Sequence, residues 1–169
     1  MIRPIKKTTL LLQSYAVALL LTTGIASHAD SFRPFTADSF EVIKASFADS
    51  EFLVGLWSVD CPPCLVELDM MREVLKLNPD LPFVLISTDS IEDREFAAEF
   101  LEDFDLHQIE SWMFADNFEE RLRYSIDPNW FGELPRSYFF SSDHQMSAHS
   151  GIMTPELLQT WFSRDVKFE

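Results

Sequence analysis

The chain has 169 residues, with 13 Lys and Arg against 28 Asp and Glu, 47% hydrophobic residues, 14% aromatics and 2 Cys. The length fits one domain, at roughly 100–200 residues per domain, and the apolar share fills one core, so intrinsic disorder is excluded. A formal charge of −15 argues against nucleic acid and anionic membrane surfaces as partners, because both are held by Lys and Arg. Two cysteines cannot build a disulfide-stapled scaffold or a four-thiolate zinc site.

Arg3, Lys6 and Lys7 precede an apolar run over 10–25, and Ser27, His28 and Ala29 follow with small residues at the first and third positions. This is the layout of a secretory signal peptide over 1–29. Cleavage after Ala29 leaves a domain over 30–169 with 10 basic and 28 acidic residues, a charge of −18. The alternative is a retained membrane anchor: residues 8–26 approach the roughly 20 needed to span a bilayer, although Gln13, Ser14 and the threonines dilute the run. In either case the domain is exported, to a periplasmic type of compartment where thiols are oxidised.

In chain order, residues 38–48 place Phe40, Val42, Ile43 and Phe47 at helical spacing behind a cap at Asp38 or Ser39. Residues 52–57 are an apolar run with a single glycine, suited to a strand buried on both faces of a parallel sheet. A helix opening at Cys-Pro-Pro-Cys turns Leu65, Met70, Met71, Val74 and Leu75 inward until Asn78 and Pro79 stop it. A second buried strand is predicted over 81–87, and a third helix over 91–104 with Phe96, Ala97, Phe100 and Leu101 inward and a solvated acidic face outward. A short strand over 112–115 and a helix over 118–124 follow. Residues 137–141 and 145–149 read as a hairpin turning at 142–144, and Thr154 and Pro155 cap and open a closing helix over 154–162. The alternation predicts an α/β domain.

Cys61 and Cys64 flank Pro62 and Pro63 between a buried strand and an amphipathic helix. Unpaired N–H groups and the dipole at a helix start favour a thiolate, and proline costs nothing there. Cys61 at the cap would face solvent, and Cys64, one turn in, would be shielded and able to attack a mixed disulfide on Cys61. A purely structural bond is the poorer explanation, since closing a four-residue loop is worth only about 2 kcal/mol against about 4.7 for a hundred-residue loop. A further alternative is copper held by both thiolates and one of His107, His144 or His149.

The run Phe52-Leu53-Val54-Gly55-Leu56-Trp57, then Cys61-Pro62-Pro63-Cys64, Glu67, and much later Leu134-Pro135 before a hairpin, resembles the thioredoxin superfamily and within it the exported TlpA/ResA-like thiol-disulfide oxidoreductases. The resemblance spans 52–162. It implies a thioredoxin-like fold, a central mixed β-sheet flanked by helices on both faces. It also implies that Cys61 is the nucleophile, Cys64 the resolving thiol, and Pro135 a cis-proline packed against them, with the backbone of Leu134 pairing with the substrate chain. Trp57, Pro62 and Pro63 complete the implied substrate-binding surface. Glu67, one helical turn after Cys64, is implied as an acid near the thiols, where a carboxylate would also oppose thiolate formation. No cofactor or metal is implied. The implied partners are protein disulfides and a membrane electron donor of the DsbD/CcdA type, with apocytochrome c or a copper-assembly protein as substrate. The rival readings are a copper metallochaperone and a redox-inactive binding module.

The sequence departs from the family in four places. Asp60 stands before the first cysteine where an aromatic is common, and Gly55 where thioredoxins carry a buried Asp. Arg136 follows the proline where Thr is usual, positioned to pair with Asp60 or Glu133. Residues 127–131 read as an inserted loop, whose Trp130 and Phe131 are either a docking patch or a plug at the edge of the core.

Overall fold

The structure, a computed structural model, describes residues 31–168; the signal peptide or anchor expected over 1–29 lies outside them. A six-stranded sheet runs in the order β1-β4-β3-β2-β5-β6, from β1 (Arg33–Phe35) through β4 (Glu110–Phe114), β3 (Phe83–Ser90), β2 (Phe52–Trp57) and β5 (Arg136–Phe140) to β6 (Met146–Ser150). The first four of these are parallel to one another, β5 pairs antiparallel with β2, and β6 pairs antiparallel with β5. The helices are α1 (Ser39–Ser46), α2 (Pro62–Leu77), α3 (Arg94–Asp103), α4 (Glu119–Ile126) and α5 (Pro155–Trp161).

Strand alternation divides the core in two. Leu53 and Trp57 of β2, Phe83 and Leu85 of β3 and Phe139 of β5 pack with α2, α3 and α5. On the other face Phe52, Val54 and Leu56, Val84 and Ile86, and Tyr138 and Phe140 pack with α1 and α4. The central strand β2 is therefore buried at every position, as its unbroken apolar run requires. Gly55 is small for a reason: a Cβ there would stand 3.1 Å from the Phe83 ring. Thr154 caps α5 by accepting the Leu157 N–H, with Pro155 in the first turn.

Several expectations need correction. Strand β1 has no counterpart in the sequence reading, because three residues are too few to show a period. Val42 is 50% exposed: it lies on the far side of α1 from the buried Phe40 and Ile43. Phe96 is 53% exposed, since the buried stripe of α3 is centred on Ala97 and Leu101, and its ring meets Phe100 edge-on instead. The third helix opens with a 3-10 turn over Ile91–Asp93. Among the described residues no helix is long and apolar enough to cross a membrane.

Candidate active site

The site forms where β2 ends and α2 begins. Cys61 takes the N-cap of α2 with extended backbone, φ −114° and ψ 91°, and its sulfur accepts the Cys64 N–H at 3.2 Å. The sulfur occupies the place of a capping serine or aspartate oxygen, where the helix terminus favours negative charge. Pro62 and Pro63 open the helix, where their missing N–H groups would have had no helical partner. Cys61 and Cys64 are joined in a disulfide with Cα atoms 5.2 Å apart. Cys61 retains 9% of its surface and Cys64 1%, so an attacking group reaches the bond from the Cys61 side.

The Leu134–Pro135 peptide bond is cis. Pairing of Leu56 with Arg136 in the β2–β5 ladder brings Pro135 beside Trp57, at the end of the strand that leads to Cys61. Pro135 is buried, its carbonyl accepting the Gly151 N–H at 2.9 Å, and Leu134 is half-buried against the core cluster that contains both cysteines. Pro62 and Pro63 are exposed next to the disulfide, as is Asp60. Trp57 differs from the expectation of a substrate-contacting residue: at 2% exposure it lies within the core with the cysteines and has almost no surface to offer a partner.

Glu67 is 5% exposed on the buried face of α2, the face that carries Cys64. It accepts the Met153 N–H at 2.8 Å and the Ser137 hydroxyl at 3.2 Å. Neither donor is a cation. Burial raises its pKa from 4.5 to about 7, with the two hydrogen bonds acting in the opposite direction. Both donors were missed by sequence reasoning. Ser137 offered a signal, a small hydroxyl residue in a strand whose other side chains are large; the Met153 backbone offered none.

The segment 127–131 is held on the opposite face of the sheet. Asp127, 4% exposed, accepts from Asn129 N–H at 2.9 Å, Arg136 Nη2 at 3.1 Å and the Tyr138 hydroxyl at 3.1 Å. Arg136 also reaches Glu133 at 3.2 Å, as expected, whereas its buried partner is Asp127 and not Asp60. Trp130 is a core plug, 4% exposed, its indole N–H donating to the Glu133 carbonyl at 2.9 Å, while Phe131 is 89% exposed.

The three candidate histidines are engaged elsewhere. His107 lies 3.4 Å from Glu102, and the ring nitrogens of His144 and His149 meet the carbonyls of Phe47 and Ile152. Among the described residues no three His, Cys, Asp or Glu side chains are grouped to hold a metal ion.

A scan of protein-family models finds no match, and neither does a search of curated proteins. Solved structures do match. One is a secreted Mycobacterium tuberculosis disulfide oxidoreductase described as homologous to E. coli DsbE, at 21% identity and TM-score 0.56, covering 69% of this chain and 82% of that one. A secreted thiol-disulfide isomerase from Corynebacterium glutamicum aligns at 17% identity and TM-score 0.58 over 70% of this chain and 71% of its own. A thiol:disulfide interchange protein of the thioredoxin family from Chlorobium tepidum aligns at 21% identity and TM-score 0.54, over 69% and 80%. At these identities the likeness is one of fold. The chain has the thioredoxin-like fold, with its bonded Cys61–Cys64 pair at the start of the helix that follows the central strand.

Proposed function

We propose that the protein is an exported thiol-disulfide oxidoreductase that exchanges Cys61 and Cys64 with partner proteins, working as a reductant of the cytochrome c or copper-protein maturation type. The observation that carries this reading is the asymmetric disulfide at the N-cap of α2, one sulfur approachable and one shielded, beside a strand entered through cis-Pro135. The M. tuberculosis and C. glutamicum proteins are described as secreted, which supports export.

In the reaction, the Cys61 thiolate attacks one sulfur of a partner disulfide. A mixed disulfide forms, and the partner's other sulfur leaves as a thiolate and takes up a proton. Cys64 gives up its proton and attacks the Cys61 sulfur, releasing the second partner thiolate. Two electrons pass to the partner, and the Cys61–Cys64 bond is left behind for a membrane donor of the DsbD/CcdA type to reduce. Glu67, with a pKa of about 7 on the helix face of Cys64, is populated in both protonation states near neutrality and serves as the acceptor for the Cys64 proton. Leu134 and Pro135 receive the partner chain, with Pro62 and Pro63 forming the rest of the docking rim. The charge on Asp60 opposes a thiolate on Cys61, which destabilises the dithiol and suits it to donating electrons.

Trapping tests the assignment. Cys64→Ser is expected to accumulate mixed disulfides on Cys61 that mass spectrometry identifies. Equal trapping by Cys61→Ser would reverse the roles, and no trapping by either variant, with no reduction of a protein disulfide by the wild type, would overturn the function.

A further inference from the structure

The turn of 58–60 that delivers Cys61 has no regular structure of its own, yet one side chain from another strand holds it. Asp89 lies where the β3–β4 register shifts between Ser87 and Ser90. Such irregularities re-aim side chains, and this one leaves the Asp89 carboxylate against the turn. Oδ1 accepts the Ser58 hydroxyl at 2.7 Å, and Oδ2 accepts the Val59 N–H at 3.0 Å and the Ser87 hydroxyl at 2.7 Å. Each hydroxyl also accepts a backbone N–H, Ser58 from Asp60 at 3.2 Å and Ser87 from Asp89 at 3.0 Å. The Ser58 carbonyl in turn accepts the Cys61 N–H at 3.2 Å. Hydrogen bonds on both sides of Ser58 therefore tie the bulge of β3 through the turn to the capping cysteine.

We propose that Asp89 is a positioning residue for Cys61: it fixes the turn so that the Cys61 sulfur stays within bonding reach of Cys64. The inference rests on the exchange reading above. A thiol pair closes readily only when its effective concentration is high, and holding one partner in place raises it. Asp89 touches neither sulfur in this role; it acts through Ser58 and the backbone.

The test is the equilibrium of the Cys61–Cys64 pair with glutathione, measured beside thermal unfolding. Asp89→Ala is expected to shift the equilibrium toward the dithiol by about tenfold, which is about 30 mV for a two-electron couple. Asp89→Asn keeps an acceptor oxygen and is expected to recover most of the shift. An Asp89→Ala protein with a lower melting temperature and an unmoved equilibrium would show a structural role alone and overturn the proposal. Should that variant fail to fold, Ser58→Ala removes one link of the chain and is expected to shift the equilibrium about threefold in the same direction; no shift would overturn it equally. A wild-type pair that does not exchange with glutathione at all would instead remove the exchange reading, and this inference with it.

Discussion

Two carboxyl groups of this protein are almost equally buried, Glu67 at 5% and Asp127 at 4% exposure, and both are bonded to strand β5, yet their pKa values move in opposite directions. Glu67 lies on the α2 face and receives one hydroxyl and one amide, and burial prevails, raising it to about 7. Asp127 lies on the α4 face, where burial also pushes its pKa up, but the Asn129 amide, Tyr138 hydroxyl and Arg136 guanidinium together hold it below the ordinary aspartate value. Burial by itself does not decide the charge of a carboxyl group; the set of donors aimed at it does, here an amide, a hydroxyl and a guanidinium against one amide and one hydroxyl. The first arrangement keeps a proton available near neutral pH, and the second fixes the 127–131 loop near cis-Pro135.

The comparison can be broken most forcefully at Asp127. Asp127→Ala leaves Arg136, 13% exposed, without its buried partner and should cost about 3–5 kcal/mol in urea unfolding. A cost below about 1 kcal/mol would mean that the pair is not the anchor of the loop.

The next effect is a pH dependence. A folded protein that retains the Glu67 proton until about pH 7, when the unfolded chain releases it near 4.5, loses stability as pH rises through that window and levels off above it. The loss amounts to about 3 kcal/mol. Glu67→Gln should flatten the stability profile across this window, and an unchanged slope would count against a raised Glu67. Asp127 has the opposite sign: its contribution is present above the unfolded value of 3.8 and is lost as pH falls through its lower folded value.

Two neighbouring residues of β5 sharpen the contrast from either face. Ser137→Ala should cost about 1–2 kcal/mol above neutral pH and move the Glu67 titration, followed by carboxyl infrared absorption, upward from about 7 because a hydrogen bond to the carboxylate is gone. Tyr138→Phe, which keeps the ring and removes only the hydroxyl on Asp127, should cost about 1 kcal/mol and leave the Glu67 titration unmoved.

Much of the fold was legible because it rests on local chemistry. The apolar run of β2, the prolines opening α2 and α5, and the spacing of Leu65, Met70, Met71, Val74 and Leu75 declare their elements through periodicity and capping alone. The errors came where every apolar residue of a helix was counted on its inward face, as at Val42 and Phe96, or where an element was too short to have a period, as at β1.

From sequence alone came the Cys61–Cys64 pair at a helix start, since two cysteines three residues apart and a helix cap are properties of adjacent residues, whereas Pro135 entered only through the family resemblance. Only the tertiary structure placed Ser137 and Met153 on Glu67, drew Arg136 to Asp127, and brought Asp89 to the turn before Cys61. These contacts join residues 86, 70, 30 and 9 positions apart. A hydrogen bond across such distances depends on strand register and on a bulge in β3, and neither leaves a periodic trace in the chain.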